Sequence, residues 1–142
     1  MANNFDLSQF LPYALNQAAE ATSVGFQKYY RQKYGMLRIE WRVLFHMGQY
    51  GAMTAKELCA RASLHKTKVS RAVHALEKKR FLSRTTQERD RRHETLALTR
   101  QGEEVYADLY KAAKEYDADL SSHFSPQERE ILNRCLERIA KI

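Results

Sequence analysis

The sequence predicts a mainly α-helical fold with one small β-hairpin (α+β), in a single domain spanning residues 1–142. Three observations predict it. Apolar residues recur at three- and four-residue steps over most of the chain. The period changes once, over residues 81–86 and 94–98, to a partial alternation rich in β-branched residues. Two short helical patterns joined by Ala62-Ser63-Leu64 stand directly before that change.

The elements follow in order. Leu11, Leu15, Ala18, Thr22, Phe26 and Tyr29 form one stripe and predict a long helix over 6–32, weakened in its middle by Gly25. A second helix is expected over 37–49, with Leu37, Trp41, Leu44, Phe45 and Gly48 on one face, ended by the Gly48 and Gly51 segment. Thr54-Ala55-Lys56-Glu57 is a capping box that opens a third helix, with Ala55, Leu58 and Cys59 inward. The fourth helix, over 65–79, carries Val69, Ala72, Val73 and Leu76 as a narrow apolar stripe. Two strands then flank a polar, charged tip at 87–93, a hairpin directly after a helix-turn-helix. Thr99 caps a fifth helix of about 20 residues whose face runs Val105, Leu109, Ala112, Tyr116, Leu120 and Phe124. Ser125-Pro126-Gln127-Glu128 is a second capping box, and Ile131, Leu132, Cys135, Leu136 and Ile139 line the helix it opens.

Composition narrows the function. With 44% hydrophobic residues, the chain has enough apolar material for one core. No stretch reaches the roughly 18 consecutive apolar residues of a membrane span. The first twenty residues lack the basic start and apolar run of a secretory signal, so a cytoplasmic location is expected. Cys59 and Cys135 form no CxxC pair and read as free thiols packed on apolar faces. His46, His65, His74, His93 and His123 show no metal-ligand spacing. There is no glycine-rich phosphate loop and no nucleophile with its base, so neither cofactor nor catalysis is expected.

Charge is the most informative quantity. The net charge is +7, but residues 61–93 alone hold 11 Lys/Arg against three acids, so the rest of the chain is close to neutral. Clustered cations suit a polyanion, because counterion release rewards their concentration. In a helix-turn-helix the start of the second helix enters the major groove of double-stranded DNA. Here that start offers Lys66, Thr67, Lys68, Ser70 and Arg71, with His74 one turn on. Lys66 and Lys68 suit phosphates or guanine edges, and Arg71 can present a bidentate fork to guanine. At the hairpin, Arg84 on the first strand and Asp90 at the tip join the expected DNA-contacting set. Arg89, Arg91 and Arg92 suit a narrow minor groove, and Asp90 can pair Arg84 or Arg92 to hold the tip in shape. A solvated basic face is the alternative for each residue taken singly.

In this order and spacing the chain resembles the MarR family of winged helix-turn-helix transcription factors. The resemblance rests on Leu37-Arg38-Ile39-Glu40-Trp41-Arg42-Val43-Leu44 and Thr54-Ala55-Lys56-Glu57-Leu58. It continues through Lys68-Val69-Ser70-Arg71-Ala72-Val73-His74-Ala75-Leu76-Glu77-Lys78-Lys79. Asp90-Arg91-Arg92 followed by Leu96-Ala97-Leu98-Thr99-Arg100-Gln101-Gly102 is its most specific part. The resemblance implies a homodimer, with residues 1–36 and 100–142 as dimerisation helices and 37–99 as the winged module. It implies Lys66, Thr67, Lys68, Ser70 and Arg71 in the major groove, Arg92 in the minor groove and Asp90 orienting the wing. It also implies a repressor released from DNA by a small, often phenolic or other aromatic, effector. Tyr30, Trp41, Arg42, Phe45 and His46 lie where relatives bind such ligands, with core packing as the alternative. One departure stands out: the family usually has Gly where this chain has Arg80, at a position suited to a left-handed helix cap. The competing reading is a winged module used for protein contacts or for sequence-blind DNA packaging.

Overall fold

The computed structural model describes residues 4–87 and 90–142, and the backbone alone for residues 87 and 90–93. A 3-10 turn at Leu7–Gln9 precedes α1 (Leu11–Tyr34), α2 (Arg38–Tyr50), β1 (Met53–Thr54), α3 (Ala55–Ala62) and α4 (Lys66–Lys78). Then come β2 (Leu82–Gln87), β3 (Asp90–Leu98), α5 (Arg100–Ser121) and α6 (Pro126–Ala140). The chain divides into two compact units, residues 1–107 and 108–142.

In the first unit the core is built on α2, α3, α4 and the sheet. Val43, Leu44, Leu58, Val69, Val73, Leu76 and Leu96 are all buried. The α4 stripe read from the sequence is buried throughout. On α2 the buried stripe is Glu40, Val43, Leu44 and Met47. The expected face is therefore rotated, and Leu37 stands exposed at the N-cap. Trp41, Phe45 and Gly48 form the flank of that helix. The Trp41 ring sits edge-on to Phe26 at 5.3 Å, and Phe45 edge-on to Tyr106 at 5.1 Å. A Cβ at Gly48 would overlap the Tyr106 ring. Glu40 is a buried carboxylate, and Lys79 Nζ, at the C-terminal end of α4, lies 3.9 Å from it.

Local chemistry sets the boundaries. Pro12 stands in the first turn of α1, so the helix begins there and the expected start at residue 6 becomes a separate 3-10 turn. Both capping boxes form: Thr54 Oγ1 accepts from Glu57 N at 3.2 Å, and Ser125 Oγ from Glu128 N at 3.1 Å. On α3 only Leu58 and Ala62, one turn apart, are buried. Contrary to expectation Ala55 is exposed and Cys59 half-buried, because these two face a groove toward α4.

The antiparallel sheet has the order β1-β3-β2, with Met53 opposite Leu96 and Leu82 opposite Leu98. β1 is too short to give a sequence pattern. The two hairpin strands run further than expected: Gln87 pairs with Asp90, so most of the predicted tip is strand. Backbone pairing needs no apolar alternation, and these outer residues carry none.

The junction between α4, β3 and α5 is tied by backbone. Arg80 adopts φ 65°, the left-handed conformation expected at this position. Arg80 N donates to Glu77 O at 2.9 Å and Phe81 N to Leu76 O at 3.0 Å, the two bonds of a Schellman cap. Thr99 N donates to Phe81 O at 3.0 Å, Thr99 Oγ1 donates to Arg80 O at 2.6 Å and accepts from Gly102 N at 3.0 Å. Gly102 packs so close that a Cβ would overlap the Phe81 carbonyl. Glycine is therefore required there by approach, not by dihedral angle.

In the second unit α6 buries none of its residues. Ile131, Leu132 and Leu136 are exposed on it, and Cys135, expected in a core, is exposed too. Arg129 joins the two helices of this unit by donating to Ser121 Oγ at 2.6 Å and Asp117 Oδ1 at 2.8 Å.

Candidate nucleic-acid interface

Helix α4 has two faces with opposite chemistry. Val69, Ala72, Val73 and Leu76 anchor one face in the core. That leaves Lys66, Thr67, Lys68, Ser70, Arg71 and His74 all exposed, six donor-bearing side chains within nine residues. Thr67, Ser70, Arg71 and His74 share one helical stripe, and Lys66 and Lys68 flank its N-terminal end. The helix start is capped by His65, whose Nδ1 accepts from Thr67 N at 3.2 Å. That bond requires the unprotonated Nδ1 form, and it leaves the Thr67 side chain outward.

Between α3 and α4 lies a groove of about 540 Å³. Its floor is Ala55, Cys59, Val69 and Val73, and Lys56, Lys66, Ser70 and Arg84 surround it. Lys56, absent from the sequence-derived set, thus stands with Lys66 on one basic rim.

The wing residues fare differently. Arg84, on β2, was expected to contact DNA. Its Nε donates to Glu77 Oε1 at 2.7 Å and its Nη1 to Glu94 Oε2 at 2.9 Å. Those two bonds, that to Glu94 first, raise the guanidinium pKa above its ordinary value. Its charge is matched twice over by carboxylates, so the structure places it in an ion-pair network. Arg89 lies outside the described residues. Asp90, Arg91 and Arg92 lie on β3, where the backbone alone is described.

The aromatic set predicted for a ligand gathers on α1 and α2. Trp41, Arg42, Phe45 and His46 line a cavity of about 170 Å³ together with Gln49 and Tyr50. The last two were missed, though they continue the same face at i+7 and i+8 from Arg42. His46 Nδ1 donates to Arg42 O at 2.7 Å, which leaves Nε2 as the acceptor of the neutral ring. Tyr30 lies behind, its ring 5.6 Å from Trp41. Its hydroxyl is buried with no hydrogen-bond partner among the described residues, and burial pushes the phenol pKa up against the pull of Arg38. Arg38 itself is engaged by Glu20 through bonds of 2.9 and 3.3 Å. Arg61 at the end of α3 stacks over Tyr50 at 4.6 Å.

Among the described residues no three His, Cys, Asp or Glu side chains come together to hold a metal, and no helix is long and apolar enough to cross a membrane.

Comparison with known proteins agrees with this architecture. The model of the MarR family matches residues 34–93. The uncharacterized HTH-type transcriptional regulator YwoH of Bacillus subtilis is 24% identical over 99 residues, covering 70% of this chain and 72% of YwoH. Among solved structures, BpsR of Bordetella bronchiseptica superposes with a TM-score of 0.88 at 16% identity, covering 99% of both chains. DNA binding by BpsR is regulated by 6-hydroxynicotinic acid. A MarR/EmrR family transcriptional regulator from Acinetobacter sp. ADP1 superposes with a TM-score of 0.85 at 23% identity, covering 96% of both. These structures share the mainly helical fold with its three-stranded antiparallel sheet. The residues matched by the MarR family model, 34–93, span the helix-turn-helix and most of the wing.

Proposed function

We propose that the protein is a homodimeric, sequence-specific binder of double-stranded DNA that represses transcription in the cytoplasm and is released by a small aromatic effector. The observation that carries the reading is the outer face of α4, where all six predicted DNA-contacting side chains are exposed while the opposite face is locked in the core. A helix so anchored presents its donors without rearrangement. In this reading Arg71 takes a guanine edge, Thr67 and Ser70 contact bases or backbone, and Lys66, Lys68 and His74 hold phosphates. Arg89, Arg91 and Arg92 serve the minor groove, with Asp90 shaping the tip.

Dimerisation is supported by the exposed apolar residues of the terminal segments: Leu7, Phe10 and Leu11 at one end, and Ile131, Leu132 and Leu136 at the other. A two-fold dimer presents two copies of α4 to an inverted repeat. The effector reading draws on the α2 cavity: Trp41 and Phe45 offer ring faces, Arg42 a cation for an acidic group and His46 a polar partner. The regulation of BpsR by a hydroxylated aromatic acid supports the same ligand class here.

Selection of bound duplexes from a random library, then titration of the winner at two salt concentrations, tests the proposal. An inverted repeat with half-sites about one helical turn apart, preferred roughly a thousandfold over random DNA, is the expected result. Binding without enrichment that collapses with salt would replace it with sequence-blind DNA packaging.

A further inference from the structure

We propose that Arg84 is a positioning residue that clamps the wing to the recognition helix, so that Glu77 and Glu94 support DNA binding despite their negative charge. The inference rests on the reading of α4 as the DNA-contacting helix. One planar guanidinium joins three elements: Glu77 on α4, Arg84 on β2 and Glu94 on β3. The strand register explains how. Arg84 lies opposite Leu96 and Thr86 opposite Glu94, so Arg84 and Glu94 are diagonal neighbours on one face of the hairpin. The Nε edge is left for Glu77, seven residues upstream on the helix.

Two charge-assisted bonds leaving a rigid fork in different directions define an orientation, which a flexible ammonium on a single stem cannot do. Partly exposed ion pairs add little to global stability. Their consequence here is geometric: β2 continues three residues past Arg84, roughly 10 Å of lever at the strand rise. The clamp therefore sets where the outer end of β2 stands relative to the bases met by α4. With one cation between two carboxylates, the network is net negative and has no electrostatic reason of its own to sit beside DNA.

Two measurements on the full chain test the clamp. In the free protein, amide hydrogen exchange of β2 and β3 is expected to rise roughly tenfold in Arg84→Ala and in Glu94→Gln, with α3 unchanged. Unchanged exchange in the strands would overturn the clamp whether or not the protein reads DNA. The second measurement compares binding to a library-selected duplex and to a scrambled duplex at two salt concentrations. As mere surface charges, Glu77 and Glu94 would repel the polyanion, and Glu77→Gln and Glu94→Gln would tighten binding to both duplexes. The clamp predicts the opposite sign on the selected duplex, a loss of about five- to tenfold, with scrambled binding held or raised. Arg84→Ala is expected to leave the salt slope unchanged, and a slope lower by about one would make Arg84 a phosphate ligand instead. The exchanged pair Arg84→Glu with Glu94→Arg is expected to recover part of the loss. Failure to select any duplex would defeat the DNA-reading proposal, while the exchange measurement would still decide the clamp.

Discussion

The helix-turn-helix module and the terminal helices carry apolar stripes of similar spacing but meet different fates. In the module, Leu44, Leu58 and Leu76 are 0% exposed. Leu11 near the start of α1 is 55% exposed, and Ile131 and Leu136 on α6 are 52% and 42% exposed. Helical periodicity says that a face exists to be buried. Whether the covering surface belongs to the same chain is a separate matter, and here the difference separates a module that buries its own stripes from helices with apolar area left over. Burial of such area is the main driving force of association.

The largest expected effect falls inside the module. Gly102→Ala drives a methyl into the Phe81 carbonyl, and a backbone oxygen held by Thr99 cannot yield. A loss of more than about 3 kcal/mol in denaturant unfolding is expected. A loss below about 1 kcal/mol would show that the junction is softer than its hydrogen bonds imply.

The terminal face is probed next. Leu132→Asp with Leu136→Asp is expected to weaken self-association roughly a hundredfold in sedimentation experiments, with the module still folded. Unchanged association would show that Leu132 and Leu136 take no part in self-contact. The third effect returns to the module. Arg80→Gly relieves a left-handed arginine and is expected to add about 1 kcal/mol, roughly 3 °C in Tm. A drop instead would mean that the Arg80 side chain makes a contact worth more than the relieved strain.

The smallest effect concerns Glu20 on α1, whose carboxyl the Arg38 hydrogen bonds hold below the ordinary value of 4.5. Because the folded pKa is lowered, its contribution is present above the unfolded pKa and fades as pH falls through the folded one. Wild type and Glu20→Gln should therefore differ slightly at neutral pH and converge in acid. A difference that persists after both forms are protonated would point to packing rather than charge.

Much of this was legible in the sequence because the signals are local. The capping boxes at Thr54 and Ser125 and the α4 stripe each depend on a few adjacent residues, whereas the left-handed position at Arg80 followed from the resemblance to a family that usually has Gly there. The hairpin was legible in kind but not in length, since Gln87 and Asp90 pair through backbone and leave no side-chain pattern. The rotated face of α2 was hidden by Glu40, a charged residue that enters the core with Lys79 beside it, against the usual reading of hydropathy. Within the candidate site, exposure of the α4 donors followed directly from helical spacing. The engagement of Arg84 did not, because its partners lie 7 and 10 residues away on two other elements.

If the outer face of α4 reads base sequence, as proposed, Arg71→Ala is the decisive substitution. Its affinity would be measured for the selected duplex and for variants changed at each position of the half-site. A loss of about 1–3 kcal/mol on the selected duplex is expected, with discrimination relaxed at one guanine position and retained elsewhere. An equal loss on every duplex, with a shallower salt slope, would make Arg71 a phosphate contact and rule it out as a base reader.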